Sequence, residues 1–297
     1  MIVNYPRMRR RATWPDDLDT ALEFLSANPF SISAPKNWDG KLEYTNGSGW
    51  KTWDGSAIAS GEIESNHYIY LRGIGNSKIT GVSSSRAKWS IVGTNIACNG
   101  DIDLLLDYSS VKSGNRPAMA EYCYGSMFYG CTSLTAAPSL PATTLANYCY
   151  YYMFRGCTSL TAAPSLPATT LANYCYSYMF RGCTSLTAAP SLPATTLAEY
   201  CYSYMFYGCE SLTAAPALPA TTLANYCYSY MFRGCRKINL STTMSETYTK
   251  PYRIPKSGTG AMAPNALNSM FANTGGTFAG TPEINTTYYL DKSNTIV

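Results

Sequence analysis

Cysteines are the residues of this sequence whose type and spacing most readily suggest chemistry. The chain of 297 residues contains 11 of them, and ten fall into two rows at a constant interval of 26 residues. One row is Cys123, Cys149, Cys175, Cys201 and Cys227, and the other is Cys131, Cys157, Cys183, Cys209 and Cys235. Thiolates can bind zinc, but there is no C-x-x-C motif, and the single histidine, His67, lies outside both rows. We therefore predict no metal site.

The two cysteine rows could hold thiols or disulfides. Unpaired cysteine packs as a small hydrophobe, which favours two rows of buried thiols. Equivalent cysteines of stacked repeats would, however, lie close to the Cα separation of about 4.4–6.8 Å that a disulfide needs, so oxidised pairs stay open as an alternative. Because 11 is odd, at least one thiol stays unpaired within the chain.

Three aspartates, Asp101, Asp103 and Asp107, form the acidic cluster that could suggest catalysis. Two carboxylates can act as general acid and base in glycoside hydrolysis. The segment lacks the Gly and the closing Glu of a calcium loop, however, and no acid pair recurs in the repeats. His67 lies in a segment rich in Tyr and Ile, which is typical of a structural histidine. We predict a non-enzymatic protein without a cofactor, with a glycan-processing enzyme as the remote alternative, and interpret the aspartates as a polar cap before the repeats.

The composition narrows the class of partner. With 22 Lys+Arg against 18 Asp+Glu, the net charge of +4 is too low to predict a nucleic-acid-binding protein. No segment approaches the roughly 18 apolar residues of a membrane span, and no apolar segment follows the basic start, so we expect neither membrane insertion nor an N-terminal export signal. The basic residues Arg7, Arg9, Arg10 and Arg11 are predicted to attach the chain to partner proteins.

The repeat unit of 26 residues predicts the elements that position these side chains. Leu134, Thr135 and Ala136 form a short extended piece that ends at Pro138. A helix is predicted over residues 145–154, because Leu145, Cys149 and Met153 share one helical face and Gly156 follows as a stop. One strand and one helix in each unit predict an α/β leucine-rich-repeat solenoid of about five repeats plus caps.

Differences between the copies mark the positions that packing does not constrain. On the predicted helix they form a stripe opposite the Leu/Cys/Met face, which we expect to be exposed. Its three columns are Asn147, Asn173, Glu199 and Asn225; Tyr151, Ser177, Ser203 and Ser229; and Arg155, Arg181, Tyr207 and Arg233. The last column is the predicted binding site, although a plain solvated face explains it about as well.

Tyrosines and small residues offer two further surfaces. Tyr148, Tyr150 and Tyr152, with their counterparts in the other repeats, are expected to widen the core stripe and to keep their hydroxyls at its wet margin. On the strand side, the columns that contain Thr135 and Ala137 are expected to point outward and to form a flat face for a second subunit or another partner.

The sequence M-F-x-G-C-T-S-L-T-x-x-P, as in residues 153–164, resembles the BspA-like leucine-rich repeats of gut and oral bacteria and their phages. The resemblance covers about residues 98–240, and its Phe-x-x-Cys-x-x-Leu spacing recurs in register five times, with Ile238 in place of Leu in the last copy. Upstream segments such as Leu42-Glu43-Tyr44 and Trp50-Lys51-Thr52-Trp53 are similar to the small β-rich domain that often precedes such repeats. The resemblance implies adhesion to host cells, matrix proteins or other bacteria, or a structural role in a phage, and it transfers no catalytic residue.

Together these observations predict five regions. They are a basic attachment arm at 1–20, a small all-β, sandwich-like domain at 21–97, a cap at 98–122, BspA-like repeats at 123–240, and a degenerate repeat with a cap at 241–297. The function predicted is that of a phage virion protein, in a fibre, the tail or on the capsid. It would be bound to other virion proteins through its N-terminal region and to a host-surface glycan or protein through the repeats. A secreted or surface-bound bacterial adhesin is the alternative, and a homo-oligomer is left open.

Overall fold

The computed structural model describes residues 14–35, 40–80 and 88–297. Before residue 100 the described residues form nine strands: β1 (Leu22–Ser26), β2 (Ser31–Ser33), β3 (Leu42–Thr45), β4 (Lys51–Trp53), β5 (Ile58–Ala59), β6 (Gly61–Ile63), β7 (Asn66–Gly73), β8 (Ser90–Val92) and β9 (Ile96–Asn99). Strand β1 shows the local reason, because its residues alternate between buried and half-exposed. Successive side chains of a strand point to opposite faces, so Leu22 and Phe24 both enter the core.

Two sheets are built from these strands. The larger has the order β10-β9-β1-β7-β3-β4, with β6 paired to β7, and its strand β10 (Leu134–Ala136) comes from the first repeat. The smaller has the order β5-β2-β8. Strands β1 and β7 are antiparallel, which places Leu22 opposite Leu71 and Phe24 opposite Ile69. Because β10 pairs with β9 in parallel, the first repeat continues the N-terminal sheet.

Helices make up only 4% of the described residues, whereas 24% are in strands. A 3-10 helix spans Leu18–Thr20, and helix α1 spans Leu104–Lys112 with a non-helical residue, Asp107, inside it. The prediction of an α/β leucine-rich-repeat solenoid is therefore wrong. The described residues form a nearly all-β structure of several small mixed sheets.

The segment predicted as a helix, residues 145–154, instead forms consecutive turns. Tyr148 and Tyr152 have φ values of 58° and 59°, and Gly156 follows with a φ of 75°. A right-handed helix cannot run through residues in the left-handed region, where every L-residue other than glycine is disfavoured. Equivalent positions are left-handed in the other copies as well: Tyr122, Ser126 and Gly130; Tyr174, Tyr178 and Gly182; Tyr200, Tyr204 and Gly208; Tyr226, Tyr230 and Gly234; and Asn265, Ser269 and Asn273.

Backbone hydrogen bonds explain why this conformation is stable. Along each turn segment the N–H groups alternate between two acceptors. The N–H of Tyr151 donates to the carbonyl of Tyr148 within its own turn (3.1 Å), whereas the N–H of Tyr150 donates to the carbonyl of Cys175 in the next repeat (3.0 Å). Tyr152, Phe154 and Gly156 likewise donate to the next repeat. The polar groups of this buried backbone are thus paired, as buried backbone requires.

Stacking in register brings identical side chains over one another inside the structure. The phenylalanine row runs through Phe128, Phe154, Phe180, Phe206, Phe232 and Phe271, with ring centroids 5.4–5.7 Å apart. The inner tyrosine row runs through Tyr124, Tyr150, Tyr176, Tyr202 and Tyr228, at 5.6–5.8 Å. Side chains of both rows are fully buried. Each repeat therefore buries its aromatic residues only because a neighbouring repeat covers them.

The strand half of the unit is less regular than the turn half. After β10, the alanines of later repeats form single parallel bridges, Ala162 with Ala188 and Ala188 with Ala214. Strand β11 (Ala214–Ala215) pairs in parallel with β16 (Thr295–Ile296), near the end of the chain. The sequence predicts one strand in every repeat, and this prediction is therefore wrong.

After the repeats, a sheet of four strands covers the last turn segment. Its strands are β12 (Asn239–Ser241), β13 (Tyr248–Arg253), β14 (Gly275–Gly276) and β15 (Thr287–Asp291), in the order β13-β15-β12-β14. Met270 and Phe271, the degenerate copy of the unit, stack in register, since the N–H of Phe232 donates to the carbonyl of Met270. One hydrophobic core joins the N-terminal sheet to this end. The domain boundaries stay a prediction.

Removing one ring from the middle of the phenylalanine row should destabilise the whole stack. Phe180 has no exposed area and contacts Phe154 and Phe206 with centroids 5.6 and 5.7 Å away. We expect Phe180→Ala to lower the free energy of unfolding by about 3–5 kcal/mol, measured by urea-induced unfolding, because it leaves a cavity between two rings.

The matched control is Val92→Ala, at a side chain that is 63% exposed. We expect it to change the free energy of unfolding by less than about 0.5 kcal/mol. Equal effects of the two substitutions would contradict a stabilising role for the phenylalanine row.

Candidate binding surface

The left-handed tyrosines form two rows on the outside of the turn segments, which we call the outer tyrosine rows. The first contains Tyr122, Tyr148, Tyr174, Tyr200 and Tyr226, and the second contains Tyr152, Tyr178, Tyr204 and Tyr230. Ring centroids lie 4.5–4.6 Å apart in the first row and 4.4–4.7 Å apart in the second. The rings stack face to face in both rows, except for the tilted pair of Tyr152 and Tyr178, so most ring faces in these rows contact another tyrosine.

Two tyrosines of these rows, Tyr174 and Tyr178, have raised pKa values. Partial burial raises the pKa of Tyr174 to about 12, and the neighbouring Tyr148 and Tyr200 contribute to the same shift. Burial also raises the pKa of Tyr178, against a lowering effect of the nearby Arg181. The hydroxyls of Tyr174 and Tyr178 therefore stay protonated at neutral pH and can both donate and accept a hydrogen bond.

Arg155, Arg181, Tyr207 and Arg233, the residues predicted for binding, lie beside the second outer tyrosine row and are half-buried. We call these four residues the arginine row. Each guanidinium lies over two tyrosine rings, one of its own repeat and one of a neighbouring repeat. Distances run from the guanidinium carbon Cζ to the ring centroid. Arg155 lies 4.9 Å from Tyr152 and 5.2 Å from Tyr129. Arg181 lies 5.6 Å from Tyr178 and 4.6 Å from Tyr207, and Arg233 lies 5.4 Å from Tyr230 and 5.7 Å from Tyr207.

The charges of the arginine row are not neutralised within the described part of the chain. Arg155, Arg181 and Arg233 form no ion pair with a described carboxylate, whereas Arg72 and Arg116 pair with two carboxylates each. The Nε atom of Arg233 is buried without a hydrogen-bond partner. A cation over the face of an aromatic ring is held by the ring quadrupole, so the row keeps three oriented guanidinium groups available.

Two members of this surface were missed by the sequence analysis. Tyr129 occupies the place of the arginine row in the first repeat, and the ammonium of Lys88 lies 5.6 Å from the centroid of its ring. Tyr129 is 26 residues before Arg155, so the repeat interval alone identifies it. Lys88 has no such signal, because only the fold brings it to the first repeat.

The prediction that all variable columns are exposed is wrong for one of them. Ser177, Ser203 and Ser229 are buried, and the hydroxyl of Ser177 donates to the carbonyl of Ser203 at 3.1 Å. A serine there bonds to the next repeat instead of facing water. Tyr151 is half-buried at the same position of its repeat, with its ring against Tyr152, at a centroid distance of 4.0 Å.

Two other surface expectations need correction. The inner tyrosine row does not keep its hydroxyls at the solvent-exposed edge of the core. The hydroxyl of Tyr150 is buried without a hydrogen-bond partner, and that of Tyr124 donates to Asp103. On the strand side Thr161 and Thr187 are exposed, but Ala189 and Ala215 are buried. Val297 donates its N–H to the carbonyl of Ala215, so the last residues of the chain cover this part of the expected flat face.

The cysteine rows lie in the core, with all eleven cysteines buried and free. In the second row the thiol also donates a hydrogen bond. The thiol of Cys183 donates to the carbonyl of Phe154 in the preceding repeat at 3.1 Å. The thiols of Cys157, Cys209 and Cys235 likewise donate to the carbonyl of the phenylalanine 29 residues earlier, at 3.0–3.1 Å. Burial raises the pKa of Cys183 to about 12. Within the described residues, no group of three or more His, Cys, Asp or Glu could hold a metal ion.

Thiol reactivity tests this arrangement. We expect Ellman's reagent to modify none of the eleven cysteines of the native protein within minutes and all of them after unfolding in guanidinium, because burial blocks access and disfavours the thiolate. The control is Thr184→Cys, which places a thiol at an exposed position beside Cys183 and should react at once. Rapid modification of several native thiols would contradict the buried rows.

The acidic cluster and the histidine form structural contacts. Arg116 pairs with Asp101 and with Asp103, and the hydroxyl of Tyr124 donates to Oδ1 of Asp103 at 3.0 Å. Asp107 accepts hydrogen bonds from Ser109 and Ser110 instead. His67 lies in β7, opposite Ser26 of β1, far along the chain from the three acids. The predicted attachment residues, Arg7, Arg9, Arg10 and Arg11, lie outside the described residues.

Asp103 should make stability depend on pH in a recognisable direction. Burial raises the pKa of its carboxyl, and the charge of Asp101 adds to the shift. A carboxyl whose pKa is higher in the folded state contributes stability at low pH and loses it as pH rises through the folded pKa. We expect the free energy of unfolding of the wild type, relative to Asp103→Asn, to fall between about pH 3 and pH 7, measured by urea-induced unfolding.

Asp54→Asn provides the opposite control. Hydrogen bonds from Ser56 lower the pKa of Asp54. The free energy of unfolding of the wild type, relative to Asp54→Asn, should therefore rise with pH over the same interval. If the two relative free energies of unfolding changed with pH in the same direction, the buried state of Asp103 would be contradicted.

Comparison with known protein families, with curated proteins and with solved structures finds no match for this chain. The similarity to BspA-like repeats therefore rests on the residues of the repeat alone. In the part of the chain that the structure describes, no helix has the length and apolar character needed to cross a membrane.

Proposed function

We propose that this chain is a non-enzymatic virion structural protein that binds a glycan or protein of the host surface through the arginine row and the outer tyrosine rows. The observation that carries the binding proposal is the set of three guanidinium groups held over tyrosine rings without a carboxylate partner among the described residues. Tyrosine and arginine are the residue types enriched at the centres of interfaces.

Preorganisation favours this surface over a plain solvated face. A free arginine side chain loses rotamer freedom when it binds a partner, and that loss weakens binding. In the arginine row each guanidinium is already placed by two rings, and one ring of each pair belongs to the second outer tyrosine row, where it contacts the rings of neighbouring repeats. The row can therefore contact a ligand at low entropic cost.

The virion setting rests on the resemblance of the repeats to those of phage structural proteins and bacterial adhesins. In this proposal the N-terminal region binds other virion proteins, and the turn segments face the host. Mass spectrometry of purified phage particles tests this part directly: the chain should be present in intact particles at a stoichiometry that does not change on further purification. Its absence from particles, together with its presence on bacterial cells, would favour the adhesin.

Changing the arginine row tests the binding part. We expect the full chain to bind at least one component of an array of host glycans and surface proteins, and the triple variant Arg155→Ala, Arg181→Ala, Arg233→Ala to lose at least tenfold in affinity. Loss of a hydrogen bond to a charged group costs about 1.5–3 kcal/mol, so tenfold is a lower bound.

The control is Lys112→Ala, Lys237→Ala, Lys256→Ala, which removes three exposed positive charges outside the arginine row. It should bind as the wild type does, and near-ultraviolet circular dichroism should show that both variants are folded. Unchanged binding by the arginine variant would refute the proposed surface.

A further inference from the structure

We infer that the ligand of the arginine row is an acidic polysaccharide, bound along the row through its carboxylate or sulfate groups. This inference rests on the proposed function and specifies the ligand class of the same surface.

The charges point to an anion. Arg155 and Arg181 occupy the same position in successive repeats, so two positive charges lie on neighbouring rungs of the stack. Their guanidinium groups turn away from each other, that of Arg155 toward Tyr129 and that of Arg181 toward Tyr207. No described carboxylate compensates for them, and a bound anion would. Guanidinium groups suit oxyanions, because they can donate two parallel hydrogen bonds to one carboxylate.

The arrangement in a row points to an extended polymer. Successive rungs of a parallel stack are about 4.8 Å apart, so Arg155 and Arg233, three repeats apart, are separated by about 14 Å. A single small anion could contact one guanidinium or two. A linear chain with an anionic group on many of its sugars could contact all three.

The stacked rings argue against recognition of a single-stranded nucleic acid. Proteins that bind single-stranded nucleic acid stack its bases on exposed aromatic faces. In the second outer tyrosine row Tyr178 and Tyr204 stack on each other with centroids only 4.4 Å apart, and guanidinium groups lie over Tyr178 and Tyr230, so these contacts already occupy ring faces that a base would need. Beside the guanidinium groups lie half-buried tyrosines, whose hydroxyls can form hydrogen bonds with the hydroxyl groups of sugars. Recognition through polar edges and charge therefore favours an acidic polysaccharide over a nucleic acid.

Isothermal titration of the full chain with four polymers of matched length tests the inference. The polymers are polygalacturonate, dextran sulfate, neutral dextran and a single-stranded oligonucleotide. We expect binding to at least one of the two acidic polysaccharides, weakened by added salt, and at least tenfold weaker binding of dextran and of the oligonucleotide. The two acidic polymers distinguish carboxylate from sulfate as the preferred group.

Variants identify the contact. Arg155→Ala, Arg181→Ala, Arg233→Ala should lower the affinity for the acidic polysaccharide by on the order of 100-fold, and the triple change of the same residues to Lys should lower it less, because the charge stays but the paired donors are lost. The triple lysine-to-alanine variant at 112, 237 and 256 should bind as the wild type does.

The outcomes separate this inference from the proposed function. Equal binding of dextran and the acidic polymers, tighter binding of the oligonucleotide, or an equal loss in the lysine control would overturn the polysaccharide. If the host array nevertheless yields a neutral or protein ligand that depends on the arginine row, the proposed function stands without the inference. If no ligand on the array or among the polymers depends on the row, both fail.

Discussion

Backbone groups in the turn segments form hydrogen bonds alternately within a turn and to the next repeat, and the rest of the structure depends on this alternation. It requires a left-handed residue at every fourth position, such as Tyr148, Tyr152 and Gly156. A non-glycine residue in that region carries a cost of roughly 1–2 kcal/mol. Stacking of each outer tyrosine on its counterparts above and below offsets this cost, so the strained positions and the aromatic rows belong to one arrangement.

The same alternation determines the surface. Because backbone bonds such as that from Phe154 to Met179 hold the repeats in register, side chains of one column follow each other at a fixed interval, whether they are buried phenylalanines or half-buried arginines. The guanidinium of Arg181 contacts Tyr178 of its own repeat and Tyr207 of the next only because the repeats are in register. The candidate site is therefore a property of the stack and not of any single unit.

The repeat interval, the burial of the cysteine rows and the arginine column could all be derived from the sequence, because each depends on comparison of near-identical copies. The helix could not be excluded in the same way. Cys149 and Met153 are buried four residues apart, and both a helix and a succession of four-residue turns bury residues at that spacing.

The signal that distinguishes a helix from successive turns lies in the degenerate copy. There, Asn265, Ser269 and Asn273 occupy the left-handed positions, and asparagine tolerates that conformation better than most residues. Sequence alone could not show that tyrosine adopts it too, since the compensation comes from a ring in another repeat. Nor could it place Ser177, whose partner is a carbonyl 26 residues later.

The interior units differ at few positions, whereas both ends of the stack are distinct: the N-terminal sheet joins the first repeat through β9 and β10, and the four-stranded sheet closes over Phe271. A duplication or deletion of one interior unit would recreate the same junctions, since the interior units are nearly identical in sequence. Recombination between the nearly identical coding segments could thus change the length of the arginine row and of the buried aromatic rows in whole steps, while the folded ends stayed the same.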